Sequence, residues 1–218
     1  MDGATLQSKI YAGNAKGAAL LGKAHSQYRP TSLALDILNA ANLIGSINAV
    51  FNIGGAFNGQ SKPDQIVWEP IVDGSKVQIG DYLVGDHTFC IVGMDPLMPI
   101  VAMRCTDTVN IQRASETFST TEGATQSITT IATSVPCFSQ VKRDKGFSTP
   151  AGFPAPSNTS APMPEYIIYI GLGGVFPAGS ILEGDMLTFP DGDTLKVDAV
   201  NSSTLMWTLY CTPFRPDA

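Results

Sequence analysis

Histidine is scarce in this chain of 218 residues, which holds only His25 and His87. A Ser-His-Asp centre would have to use one of them, and neither has a Gly-x-Ser-x-Gly nucleophile elbow nearby. Charge is sparse as well: Asp, Glu, Lys and Arg make up 15% of the residues, with 13 basic against 19 acidic and a net charge of −6. No Lys/Arg stripe exists that could neutralise a run of phosphates, which argues against sequence-reading of nucleic acid. Lys142-Arg143-Asp144-Lys145 is the nearest approach, and Asp144 weakens its field, so it reads as a solvated loop. The four cysteines, Cys90, Cys105, Cys137 and Cys211, show no CxxC spacing and have no neighbouring histidines, which leaves a zinc site without support. Three of them sit in apolar strand-like runs, where a free thiol behaves as a small hydrophobe. The chain opens without a signal-peptide pattern, so the expectation is reduced, unpaired thiols in a cytoplasm. No apolar run reaches the length of a membrane span.

What is present is β-forming sequence punctuated by turns. Apolar residues account for 44% of the chain, enough for a real core, and 21 Gly and 15 Pro supply breaks. One pattern occurs twice. Gly80-Asp81-Tyr82-Leu83-Val84 leads through Thr88–Val92 to Ile100–Thr106, ending on Cys105-Thr106. Gly184-Asp185-Met186-Leu187-Thr188 leads through Thr194–Val200 to Leu205–Thr212, ending on Cys211-Thr212. A small β module present twice is the natural reading. Tight turns at Asp73-Gly74, Gly85-Asp86, Asp191-Gly192 and Asn201-Ser202 leave no room for crossover helices, so the modules are expected to be antiparallel barrels or sandwiches.

Ahead of the first module, residues 4–21 place Leu6, Ile10, Gly13, Gly17 and Leu20 at helical spacing. This predicts an amphipathic helix whose glycines admit another backbone closely, either its own β module or a neighbouring subunit. Lys9, Lys16 and Lys23 exclude a membrane dimer. His25 to Ala34, with Tyr28-Arg29-Pro30, reads as an extended arm because Pro30 removes a donor and biases Arg29 to extended backbone. Residues 35–59 fit either a short helix near Leu35–Leu43 or strands near Ile44–Ile53. The expected divisions are a helix and arm at 1–62, a first β module at 63–113, a Ser/Thr/Pro-rich hairpin and long loop at 114–164, and a second module at 165–218. The expected fold class is mainly β: two antiparallel barrel or sandwich-like modules with an N-terminal helix and arm.

Reactive chemistry finds little to stand on. Asp81 and Asp185 are equivalent in the repeat and invite comparison with a glycosidase carboxylate pair, but Asp after Gly commonly caps a turn with its own side chain. Asp191-Gly192-Asp193 fits a hairpin turn better than a calcium loop. Gly171-Leu172-Gly173-Gly174 lacks the following helix a phosphate cradle needs. The Asn158 and Asn201 sequons carry no meaning without secretion. No catalytic, cofactor or metal residues are assigned; the candidate interface residues are Leu6, Ile10, Gly13, Gly17, Tyr28, Arg29 and Pro30.

Gly3-Ala4-Thr5-Leu6-Gln7-Ser8-Lys9-Ile10-Tyr11-Ala12-Gly13, the Tyr28-Arg29-Pro30 segment, Gly80-Asp81-Tyr82-Leu83 and Met94–Cys105 together resemble virion structural proteins of tailed bacteriophages and prophages of proteobacteria. The closing module matches in layout, with Tyr166 where paired tryptophans are expected and an unlike middle region. Within that group the chain is similar to head-completion or neck proteins. The resemblance implies a non-enzymatic subunit, without cofactor, that forms a homo-oligomeric ring. It would link portal and tail, contact adaptor or tail-terminator proteins, and line a DNA passage from which an acidic lumen repels the backbone. A tail, baseplate or capsid-decorating protein is the alternative within the virion, and a cell-wall hydrolase the enzymatic one.

Overall fold

Asp2 starts the only long helix of the described chain. Its carboxylate accepts the Thr5 N–H at 2.8 Å, and helix α1 follows over Gly3–Leu21. Gly22 ends it, its N–H returning to Ala18 O at 2.8 Å. The computed structural model describes residues 2–31, 36–53, 66–119, 123–142, 165–171, 180–202 and 206–214.

Twelve strands follow: β1 (Lys23–Tyr28), β2 (Leu43–Ile53), β3 (Val67–Val72), β4 (Tyr82–Val84), β5 (Thr88–Gly93), β6 (Val101–Cys105), β7 (Asp107–Ser119), β8 (Gly123–Lys142), β9 (Glu165–Gly171), β10 (Met186–Thr188), β11 (Thr194–Ser202) and β12 (Met206–Pro213). They close into two six-stranded antiparallel barrels, β1-β2-β3-β6-β5-β4 and β7-β8-β9-β12-β11-β10. Adding six to each strand of the first ring gives the second, so the two barrels share one topology. The pairing agrees residue by residue. Tyr82 opposes Cys90, which opposes Met103; Met186 opposes Lys196, which opposes Thr212. Even the bulges coincide, at Val92 in β5 and at Asp198 in β11.

Alternation sorts the side chains of each strand. In barrel one, Ile47, Ala49, Val72, Leu83, Phe89, Ile91 and Ala102 form the interior with Val77 from the segment before β4. Phe51 stacks on Phe89 there, ring centroids 3.6 Å apart. In barrel two, Ile111, Ile168, Ile170, Leu187, Leu195, Val197, Trp207 and Leu209 are fully buried or nearly so, with Ile181 in the place of Val77. The second core does not stop at its own wall. Tyr82, Cys90, Val92, Met103 and Cys105 of barrel one belong to it, because β5 buries both its faces, Phe89 and Ile91 inward and Cys90 and Val92 toward barrel two. Gly171 of β9 permits that approach: a Cβ there would run into Cys90 and stand 3.7 Å from Val92. Thr106, between β6 and β7, donates its N–H to Cys137 O at 2.8 Å and bridges the barrels.

The sequence divisions need revision at both ends. Each ring closes only with strands assigned elsewhere: β1 and β2 come from the segment read as helix and arm, and β7 and β8 from the end of the first module and the hairpin region. The reading of His25 to Pro30 as an arm gives way, over His25–Tyr28, to a barrel strand, since β1 pairs with β2 on one side and β4 on the other. The choice left open over 35–59 resolves as a short 3-10 turn at Ala40–Asn42 followed by β2. Of the second Gly-Asp run, Gly184 to Thr188, Met186–Thr188 forms strand β10. The Ser32–Ala34 part of the arm, residues 172–174 of the Gly171–Gly174 run, Asn158, residues 143–145 and the Pro-rich 150–164 lie outside the described residues.

Candidate functional site

The repeated acids lie in repeated latches. Gly80 and Gly184 both adopt φ of 90°, a conformation that side chains disfavour, and this turns the chain so that the following Asp points into the wall. The turn also keeps the ladder intact: Gly80 N–H donates to Ile91 O and Ile91 N–H to Asp81 O, while Gly184 and Asp185 do the same with Val197. Arg29, just past β1, then meets Asp81 through two bonds, Nε to Oδ1 and Nη2 to Oδ2, both 2.7 Å. Arg113, the equivalent position in β7, meets Asp185 at 2.7 and 2.8 Å. The forks are bidentate, the strongest geometry for this pair. Each guanidinium also donates to a carbonyl of the segment before β4 or β10, Lys76 O at 3.1 Å and Ser180 O at 3.0 Å. The hydrogen bonds to Asp81 and Asp185 hold both arginines above their ordinary proton affinity.

Both carboxylates are almost fully removed from water, at 0% and 1% side-chain exposure. Each also accepts a backbone N–H of its own turn, Gln78 at 2.9 Å or Leu182 at 2.8 Å. The turn-capping role expected of them is therefore present, and the arginine is what sequence reading missed. The latches differ in one respect. Gln27 donates to Asp81 Oδ2 at 2.7 Å and to Lys76 O at 2.9 Å, whereas Ile111 occupies the matching place in barrel two. Arg-paired and wall-bound in separate barrels, the two acids do not face a common cleft as a general acid and nucleophile would require.

Around the joint lie the four cysteines, all free and buried. Burial pushes the Cys90 and Cys211 thiols up to about 12, and raises Cys105 and Cys137 as well. A thiol that stays protonated is a poor nucleophile and a poor metal ligand. Among the described residues no group of three or more His, Cys, Asp or Glu is placed to hold a metal ion. Two of the clefts on the described surface lie beside these elements. One, about 370 Å³, lies between α1 and barrel one and is lined by Ile10, Tyr11, Pro70, Leu97 and Met98 with Glu69. The other, about 310 Å³, is lined by Leu38, Cys105, Thr106 and Pro136 with Asp107. Each brings a single carboxylate.

The candidate interface residues divide. Ile10 and Gly17 face barrel one, where a Cβ on Gly17 would stand 3.3 Å from Ile71 Cγ2. Tyr11 covers Gly74 so closely that a Cβ there would strike its ring, and Gln7 accepts the Leu97 N–H. The seam of α1 is thus Gln7, Ile10, Tyr11, Asn14, Gly17 and Ala18, turned from the predicted stripe. Leu6, Gly13 and Leu20 lie outside it: Leu6 is 42% exposed, Leu20 84%, and Gly13 has open space beside it. Tyr28 packs on the core shared by the barrels, Arg29 serves the latch and Pro30 is buried. No helix of the described chain is long and apolar enough to cross a membrane. No protein-family model matches the chain, and neither does any curated protein or solved structure.

Proposed function

We propose that this chain is a non-enzymatic structural subunit of a phage virion, forming a homo-oligomeric neck or head-to-tail connector ring that links portal and tail and surrounds the DNA passage. The observation that carries the reading is the pair of barrels of one topology, joined where the core of barrel two extends onto the outer face of barrel one, with the repeated acids committed to holding the walls closed. Such a body is a stiff block. Closed barrels leave few open sheet edges, so a block of this kind meets neighbours through faces and protrusions rather than by random strand addition. The net charge of −6 and the lack of a basic stripe suit a surface past which DNA moves without being held.

The test is placement in the particle. Antibody labelling and an electron-microscopy reconstruction of purified virions should put copies of this chain as a ring at the portal vertex. Density elsewhere in the tail or on the capsid would favour another virion part, and absence from purified particles would remove the proposal.

A further inference from the structure

The end of barrel one where β1 begins and β4 turns into β5 gathers aromatic rings, both histidines and an arginine. Phe51 and Phe89 stack there, and Trp68 meets Phe89 in a T-shaped contact with ring centroids 5.7 Å apart. His25 stands in the same way against Phe51 at 5.3 Å, and His87 against Phe89 at 6.4 Å. Arg104, opposite Phe89 in the ladder, carries its guanidinium carbon 5.9 Å from the centre of the Trp68 ring, within cation–π range.

Arg104 lacks what Arg29 and Arg113 have. Each of those two uses Nε and Nη2 to hold a carboxylate. In Arg104 the Nε is buried with no hydrogen-bond partner, and Nη2 reaches only His87 Nδ1, at 3.5 Å. Among the described residues no carboxylate pairs with it. Asp86, the acid next to His87 in the chain, is held instead by Lys23. A guanidinium drawn partly out of water without a counter-ion is costly, and a ring face offsets only part of that cost. The contact between Nη2 and His87 lies at the exposed rim, so a counter-charge can reach Nη2 from outside.

The second barrel shows that closing this end requires none of these groups. By register, Arg104 corresponds to Pro213, Phe89 to Leu195, Trp68 to Tyr166, Phe51 to Ser139 and His25 to Val109. Neither a cation nor an imidazole stands at those places, yet Val109 and Leu195 are buried as their counterparts are. The cation and the histidines are additions to the shared topology.

We propose that this end of barrel one binds an oxyanion carried on a flat apolar body, an aromatic carboxylate being the class that fits. The Arg104 Nη nitrogens take the carboxylate, and the Trp68 and His87 rings flank the body. A carboxylate fits better than a phosphate for two reasons: it is the group the other two arginines of this fold hold, and one guanidinium beside one imidazole matches a single negative charge. The site does not depend on the ring-forming reading above.

Calorimetric titration of the full-length chain with benzoate should give saturable binding to one site. Benzamide, which keeps the ring without the charge, acetate, which keeps the charge without the ring, and inorganic phosphate should each bind more weakly by roughly tenfold or more. In nuclear magnetic resonance spectra of the parent chain, benzoate should move the Arg104 Nε–H signal and leave those of Arg29 and Arg113 in place, a readout that needs no variant to fold. Arg104→Lys, which keeps the charge and loses the fork, should weaken benzoate binding by roughly tenfold with circular dichroism unchanged. The proposal is overturned by a lack of saturable benzoate binding, by an Arg104 signal that stays still, by any of the three comparison ligands binding as well as benzoate, or by full affinity in a folded Arg104→Lys chain.

Discussion

Arg29 and Arg113 are half-exposed, yet each holds a carboxylate that water does not reach. Losing the cation leaves a buried anion, and the cost depends on what else bonds it. Asp81 keeps Gln27 and the Gln78 N–H; Asp185 keeps only the Leu182 N–H among these. Arg113→Ala should therefore destabilise the protein by about 2–3 kcal/mol, and Arg29→Ala by roughly half of that. Urea unfolding of the two variants reads the difference directly; an equal or larger loss for Arg29→Ala would contradict this account of the latches. The partnership of acid and base could not be read from spacing, because 52 residues separate Arg29 from Asp81 while 72 separate Arg113 from Asp185. The acids repeat at fixed distance in the sequence, but the long β7–β8 hairpin lies between the second pair and shifts the register in which their partners would be sought.

At the scale of the element, α1 shows what periodicity settles and what it leaves open. Helical spacing and the Asp2 cap give the helix, and the choice of seam falls to close approach. Gly17 touches Ile71, while Gly13, four residues earlier, touches nothing. Gly17→Leu should lift α1 from β2 and β3 and lower the melting temperature, whereas Gly13→Ala should raise stability by up to about 1 kcal/mol through helix propensity alone. Thermal melts of both variants check this, and an unaffected Gly17→Leu protein would argue that the helix does not rest where described. The β strands follow the same division. β4 to β6 and β10 to β12 are visible as alternating runs between turns, but β1, with His25 and Gln27 facing inward, looks polar and is recognisable as a barrel strand only once β2 and β4 flank it.

The two barrels pack as one described body because β5 has no face left for water. Its outer side completes the core of barrel two, so neither barrel buries its apolar surface fully without the other. Calorimetry should then show one unfolding transition for the described body. Gly171→Val places methyl groups where Cys90 stands and should open the joint, splitting that transition in two and exposing Cys90 to alkylation under native conditions. A single unshifted transition with Cys90 still protected would show that the joint contributes little.

Local sequence determined the class of this protein: the duplicated Gly-Asp turns, the alternating apolar runs, the capped helix and the sparse charge are all consequences of chemistry within a few residues. Closure was decided in three dimensions. Strands far apart in the chain had to meet before a polar β1 became a wall, before Arg113 found Asp185, and before Cys90 and Val92 acquired a partner surface. Those pairings depend on long-range geometry that a one-dimensional pattern does not encode, which is why the repeat was legible and its boundaries were not.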